Sequence, residues 1–458
     1  MTKFFVEQFG CRATQADGAA IERQLRERGC VGARDAESAD VVVLNTCTVT
    51  AAADAQARDA IRKIHAANPA TRIIVTGCYA QRAPEEIAEL PGVAHVVGNS
   101  HKTQIPNLLT TISAQPLFEE REHGAPYHSA PILSGDIFGL SEVLVAPVLG
   151  GEGNHTRPTL KIQDGCNSRC SFCVIPFVRG RSRSLPVTTV LSEIRRLRDC
   201  GFKEIVLSGI NLGTYGRDLN PQVEFLELLR RILGETGVER LRISSIEPLD
   251  VTKDLIDFFA GNERIAAHFH MPLQSAVNRI LGAMHRWYRA EHYARRVELI
   301  RERLPNAAVG ADVIAGFPGE TGAEHEETLR FIEERPFTYL HVFSYSTRPG
   351  TKAAALGGQV TGEVIKRRAR ELRALGERKA REFRESQIGR TLRVLTLHRD
   401  AETGGGETPA LSGNYLSVMI PEILPHNQWR DARVERVEGK YLMTAQHESV
   451  GVVAGGML

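Results

Sequence analysis

"GCNSRCSFCVIP", residues 165–176, places Cys166, Cys170 and Cys173 in a C-x3-C-x2-C rhythm. The stretch directly before it, "PTLKIQ" (158–163), reads as a short buried strand, so the three thiols follow a strand end. A zinc site takes four tetrahedral ligands, usually two cysteine pairs, and no second pair is nearby. A 4Fe–4S cube normally takes four cysteines. Three thiolates on a cube leave one iron for a ligand that is not protein. A structural metal or a set of reactive thiols is the alternative reading.

The chain around the cysteines shows a repeating order. Further strand candidates follow at "EIVLSGI", "RLRISSI", "IAAHFHM", "AVGADVI" and "YLHVFSYS". Amphipathic segments such as "VTTVLSEIRRLRDCG" and "AEHYARRVELIRERLP" separate most of them. Six strand–helix units predict a partial or full parallel barrel of the TIM type, with its site at the carboxyl ends of the strands. Polar residues just after those strands are candidate contacts for a cofactor: Ser208, Asn211, Ser245, Glu247, Gln274 and Asp312, with Gly209 allowing close backbone approach.

Upstream, "KFFVEQF" (3–9), "DVVVLNT" (40–46) and "RIIVTG" (72–77) alternate with helical periodicity. That order predicts an α/β fold with a doubly wound parallel sheet. Cys11, Cys47 and Cys78 follow these strands, 36 and 31 residues apart. The carboxyl ends of parallel strands share one edge, so the three can meet in one crevice. They form a second candidate metal-binding trio. Taken singly, each is equally a small core residue. Cys30 and Cys200 sit at predicted helix ends and read as structural.

Residues 113–155 are rich in Gly, Pro, Ser and His and read as a linker or long loop. Residues 364–386 form a polar helix with nine Lys and Arg, either an RNA-facing or a solvated face. From 387 the pattern alternates at period two, as in a small antiparallel β-barrel. The expected division is 1–112, a linker at 113–155, a barrel domain at 156–386 and a β module at 387–454.

Net charge is only +2, so any basic patch is local. Eight cysteines in 458 residues lie far below the density of a disulfide scaffold, and patterned thiols in a reducing compartment point to metal or redox chemistry. No signal-peptide pattern or long apolar run is evident, so a cytoplasmic location with no membrane span is expected.

The C-x3-C-x2-C motif after a barrel strand resembles the radical S-adenosylmethionine enzymes, in which the open iron binds that cofactor and an electron releases a 5′-deoxyadenosyl radical. Phe172, before the last cysteine, matches a residue that contacts the cofactor's adenine. The order of two trios and a β module resembles the methylthiotransferases over nearly the whole chain. "FGCRATQADG", "LNTCTVT", "VTGCYAQ", "DVIAGFPGET" and "YSTRPGT" look like family stretches, and the tail resembles the RNA-binding TRAM domain. Among the branches, "RGRSRS", "GINLGTYG" and "SSIEP" look like the one acting on N6-threonylcarbamoyladenosine at position 37 of tRNA. The rivals modify isopentenyladenosine in tRNA or a ribosomal-protein aspartate. A non-catalytic iron–sulfur RNA-binding protein is a further alternative.

The resemblance implies two 4Fe–4S clusters, held by Cys166, Cys170 and Cys173 and by Cys11, Cys47 and Cys78. It also implies two S-adenosylmethionine molecules per turnover and methylthiolation of adenine C-2. The partners it implies are a tRNA anticodon loop, a sulfur source and an external electron donor such as flavodoxin or ferredoxin. Arg179, Arg181 and Arg183 follow the radical motif and are expected to pair with phosphate or with the threonylcarbamoyl carboxylate. Two positions depart from the family: Thr14 where Asn is usual, and Ala276 in place of the Gly of "QSG".

Overall fold

The structure is a computed structural model and describes residues 1–114, 129–140, 143–144, 147–148, 156–399 and 406–445. The first sheet contains β1 (Lys3–Gln8), β2 (Val31–Gly32), β3 (Val41–Thr46), β4 (Arg72–Gly77), β5 (Val93–Gly98) and β6 (Ile132–Leu133), in the order 2-1-3-4-5-6 and all parallel. β3 reads "VVVLNT" and is buried throughout, as a strand covered on both faces must be. Alternate side chains go to opposite cores. Val42, Leu44, Ile73 and Val75 meet Ala57, Ile61 and Ile64 of α2 (Ala51–Ala67). Val41, Val43 and Ile74 meet Ile21 and Leu25 of α1 (Arg12–Glu27). That two-sided arrangement is the doubly wound sheet expected. The order reverses between β1 and β3, so the switch-point crevice lies between the segments that carry Cys11 and Cys47.

The stretch from 113 to 155 differs from the expected linker wherever it is described. Ile132–Leu133 pairs with β5, so the first sheet extends past the boundary expected at 112. β7 (Pro147–Val148) pairs antiparallel with β8 (Thr159–Lys161). Two-residue strands carry no periodicity, which is why the pattern concealed them. The rest of that stretch, and residues 446–454 of the expected β module, lie outside the described residues.

The second lobe adds β9 (Gln163–Asp164), β10 (Arg183–Ser184), β11 (Glu204–Ser208), β12 (Arg240–Ile243), β13 (His268–His270), β14 (Ala308–Ala315) and β15 (Tyr339–Ser344). The parallel run is β8-β11-β12, then β13-β14-β15, with bridges Leu241 to Ile265 and Ser245 to His270 across the seam. Six parallel strands make an open, partial barrel. The helix Gly362–Glu385 is not simply a solvated face. Ala369, Leu372 and Leu375 join the barrel core, Arg368 bonds Glu320 at 2.7 Å, and Lys379 caps the carbonyl of Arg335 at 2.9 Å.

The tail closes into a barrel of β16 (Thr391–Thr396), β17 (Thr408–Ser412), β18 (Ser417–Ile420), β19 (Trp429–Glu438) and β20 (Tyr441–Thr444), with only the β18–β20 pair parallel. It docks where the barrel strands begin. Glu204 on β11 holds Arg242 at 2.7 Å, and Arg242 in turn donates to the carbonyl of Ser412 at 2.9 Å. Tyr415 stacks on His268 with ring centres 4.5 Å apart. Among the described residues no helix is long and apolar enough to cross a membrane.

Candidate functional site

Each cysteine of the N-terminal trio sits where a strand of the first sheet ends. Cys11 precedes the first turn of α1, Cys47 follows β3 and Cys78 follows β4. Two glycines set the approach. Gly10 has φ +105°, and a Cβ there would lie 2.4 Å from Cys47 Cβ. Gly77 has φ +100°, and its Cβ would meet the carbonyl oxygen of Thr46 at 2.3 Å. Cys47 and Cys78 are buried, whereas Cys11 is exposed. Burial, then the neighbouring thiols Cys78 and Cys11, push the Cys47 thiol up to about 12. Asn99 Nδ2 approaches Cys78 Sγ at 3.6 Å. Thr14 is fully buried, and its hydroxyl lies 3.5 Å from Cys11 Sγ, so this departure from the family touches a thiol directly.

The second trio rides the loop after β9. Ser168 N–H donates to Cys166 Sγ at 3.4 Å, and Arg286 Nη1 to Cys170 Sγ at 3.5 Å. Burial, then Cys170, pushes Cys173 up to about 12. Ser171 pins the loop through its N–H to the carbonyl of Met284 (3.0 Å) and its hydroxyl to that of Ala283 (2.8 Å).

The spacing of the sulfurs tests what each trio could hold. Tetrahedral zinc with sulfurs about 2.3 Å away brings them to roughly 3.8 Å from one another. Among the described residues, only His270, Asp312 and His341 place three ligand atoms within 4.8 Å of one another. Neither cysteine trio brings its three sulfurs within that distance of one another. Burial raises the Cys47, Cys170 and Cys173 thiols, and a multiply cationic iron–sulfur core is a group that would favour their thiolates.

A cavity of about 210 Å³ opens beside Cys173. Cys173, Phe172, Gln274 and Asp312 line it, as do Val49 and Thr50, which follow Cys47. Three of the residues expected to contact a cofactor are therefore brought together. Gln274 takes φ +63°, so the unusual backbone of this turn falls there and not at Ala276, which is simply buried core. Asp312 accepts from His270 at 2.8 Å. Burial opposes its ionisation, but His270 and His341 hold its carboxyl well below the usual range. Ser208, Gly209 and Asn211 do not line this cavity. They gather at the end of β11 around Gln163, whose Oε1 accepts from Asn211 N–H at 2.8 Å. Asn211 Oδ1 is buried with no hydrogen-bond partner among the described residues. Ser245 is exposed. Glu247 pairs with Arg286, so it acts beside Cys170 through that guanidinium.

The expected roles of the three arginines are revised. Arg179 is 2% exposed and bonds Asp164 at 2.9 and 3.1 Å and Asp17 at 3.0 Å. Arg183 is buried and donates to the carbonyls of Arg179 (2.9 Å) and Arg181 (3.1 Å). Only Arg181 is exposed. Nearness to Cys173 in sequence suggested a substrate role, but the helix Ile175–Arg179 turns Arg179 into the junction between the lobes. There Lys161 and Lys102 complete a buried set around Asp17. Arg348, in "YSTRPGT", makes a second junction, reaching Asp54 at 2.5 Å and Thr48 at 2.7 Å. Asp17, Arg286 and Arg348 were not singled out from sequence. Asp17 and Arg348 lie inside stretches that carry the family resemblance, which was the available signal.

Comparison with known proteins agrees with this geometry. Residues 3–98 match the uncharacterized protein family UPF0004, and residues 160–332 match the radical SAM superfamily. The chain is 37% identical to the threonylcarbamoyladenosine tRNA methylthiotransferase MtaB of Aquifex aeolicus, covering 91% of this chain and 96% of that one. It is 38% identical to the protein of the same name from Bacillus subtilis, over 90% and 88% of the two chains. A tRNA-2-methylthio-N(6)-dimethylallyladenosine synthase of Clostridium tetani is 32% identical, over 86% and 84%. In fold, the chain resembles the radical S-adenosylmethionine methyltransferase TsrM from Kitasatospora setae, solved with cobalamin and a [4Fe-4S] cluster, at a TM-score of 0.54, 16% identity and 77% of each chain. Identity above 30% across nearly the full length of such relatives, together with the two cysteine trios, places this chain in the family of radical S-adenosylmethionine tRNA methylthiotransferases.

Proposed function

We propose that this protein adds a methylthio group to C-2 of N6-threonylcarbamoyladenosine at position 37 of tRNA, in the cytoplasm, with Cys166, Cys170 and Cys173 and Cys11, Cys47 and Cys78 each holding a 4Fe–4S cluster. The observation that carries the reading is the cavity shared by Cys173 and the segment after Cys47. Held by the two cysteine trios, the clusters would supply, together with S-adenosylmethionine, the radical and sulfur chemistry that an unactivated C–H bond requires.

The chain's own residues position and shield. Phe172, Gln274 and Asp312 shape the cavity wall. Arg286 lays positive charge against Cys170 and is itself held by Glu247. The Arg179 and Arg348 junctions hold the lobes in one register, which sets the gap between the trios. Arg181, the exposed arginine of "RGRSRS", is the one free to meet the threonylcarbamoyl carboxylate. The C-terminal barrel adds RNA contact in the manner of a TRAM domain. An adenosine in an anticodon loop is unpaired and can be turned into such a cavity.

The test uses anaerobically reconstituted enzyme, reductant and matched tRNAs carrying either threonylcarbamoyladenosine or isopentenyladenosine, with nucleosides read by mass spectrometry. A mass gain of one methylthio group on the threonylcarbamoyl nucleoside is expected. Product on isopentenyladenosine alone, or on neither tRNA, overturns the proposal.

A further inference from the structure

Trp287 is 80% exposed, and among the described residues it has no hydrogen bond, ring stack or cation–π partner. Single exposed apolar side chains are common and need no explanation. Trp287 differs in how firmly it is held out. Before it, Met284 is fully buried and its carbonyl accepts Ser171 N–H at 3.0 Å. His285, at φ +56°, reaches the carbonyl of Arg169 with Nδ1 at 3.2 Å. Arg286 is locked onto Glu247 and Cys170. After it, Tyr288 is buried and its hydroxyl donates to the carbonyls of Pro272 (2.8 Å) and Leu273 (2.7 Å). The indole is thus presented from a rigid turn, one residue away from the guanidinium that touches Cys170.

The chain's other tryptophan shows the contrast. Trp429 donates from Nε1 to Glu239 at 2.7 Å and lies under Arg240, 4.4 Å from its ring centre.

The surroundings of Trp287 are cationic and aromatic. Arg289 is 76% exposed at its side chain and faces the exposed Glu291 at 3.6 Å, which leaves much of its guanidinium open to solvent. Arg169, tied to the same turn through His285, is exposed and sits 5.7 Å from the ring of half-exposed Phe177. Flat rings interleaved with arginines are the arrangement that holds single-stranded nucleic acid. Each base offers a π-face to stack, and each phosphate a charge to pair. A protein or membrane partner would favour a contiguous apolar patch, and here the aromatic rings alternate with charge.

We infer that Trp287 is a stacking platform for an unpaired base adjoining the target adenosine, with Arg169 and Arg289 meeting the flanking phosphates. This rests on the proposed tRNA substrate and names the residue that seats the loop over the radical site.

The experiment measures affinity of the reconstituted enzyme for a labelled anticodon stem-loop across a range of salt. Trp287→Ala is expected to weaken binding by roughly five- to hundredfold, the range for losing one base stack. Trp287→Phe should recover most of it. The slope of log Kd against log salt should stay that of wild type in both, because stacking releases no counterions, whereas Arg169→Ala should lower it. Stem-loops with an abasic site beside the target should bind wild type and Trp287→Ala alike at one position. Affinity of Trp287→Ala within twofold of wild type overturns the inference, as does a changed salt slope. Wild-type enzyme that binds none of these RNAs overturns the tRNA reading itself, a distinguishable outcome.

Discussion

Replacing Arg179 with Ala is expected to loosen the whole two-lobe core, not only substrate binding. Arg179 makes two bonds to Asp164 and one to Asp17, all buried, and joins α1 of the first lobe to β9 of the second. Removing one member of a buried ion pair typically costs ~3–5 kcal/mol, because its partners keep their desolvated charge. Lys102 and Lys161 still face Asp17, and Lys161 also faces Asp164 at 2.9 Å. Those lysines place the cost near the lower end, at about 3 kcal/mol, or about a hundredfold in the folding equilibrium. At ~2–4 °C per kcal/mol for domains of this class, the melting transition should fall by about 6–12 °C. Arg179→Lys should recover only part, since an ammonium cannot span both carboxylates. Asp17→Asn combined with Arg179→Ala should cost less than the sum of the two, because the pair then leaves together.

The pH dependence has a definite sign. Burial works against both carboxylates, but Lys102, Lys161 and Arg179 hold Asp17 well below its ordinary value, and Arg179 and Lys161 do the same for Asp164. Groups lowered in the folded state give stability that is complete above the unfolded value, near ~3.9, and is lost as pH falls through the folded values. The melting difference between wild type and Arg179→Ala should be flat from about pH 6 to 8 and shrink toward pH 4 and below. Calorimetry of the variants at several pH values reads all of this. A melting temperature within about a degree of wild type, or full additivity with Asp17→Asn, refutes the junction argument.

Two further outcomes concern the trios. Replacing Cys166, Cys170 and Cys173 with Ala should leave about half the iron of reconstituted wild type, and loss of all iron with the fold intact would break the two-site reading. Replacing Cys11, Cys47 and Cys78 should preserve cleavage of S-adenosylmethionine to 5′-deoxyadenosine while abolishing methylthiolated product, as chromatography of the small molecules and nucleosides would show.

Much of the architecture follows from local pattern alone. The short β-branched run "VVVLNT" reads as a buried strand, and the structure covers it on both faces, with alternate residues of β3 and β4 meeting α2 and α1. Because parallel strands end on one edge, the cysteines after β1, β3 and β4 are carried to the same edge of the sheet, where they can meet. Period-two alternation announced the terminal barrel in the same way. Two-residue strands such as Ile132–Leu133 escape this logic, since hydrogen bonding to a neighbouring strand, not side-chain periodicity, makes them strands.

Tertiary structure alone decided where side chains without a local signature point. Arg179, Arg181 and Arg183 look equivalent in "RGRSRS". Only packing of the lobes buries Arg179 against Asp164 and Asp17, 15 and 162 residues away, and buries Arg183 over the carbonyls of Arg179 and Arg181, while Arg181 stays at the surface. The sequence likewise does not set Trp287 apart from its buried neighbour Tyr288, yet it is 80% exposed. Burial is a property of the space around a residue, and that space is filled by distant chain. Cysteine spacing could therefore announce the chemistry from sequence, while the cavity beside Cys173, the junction between the lobes and the exposure of Trp287 awaited the fold.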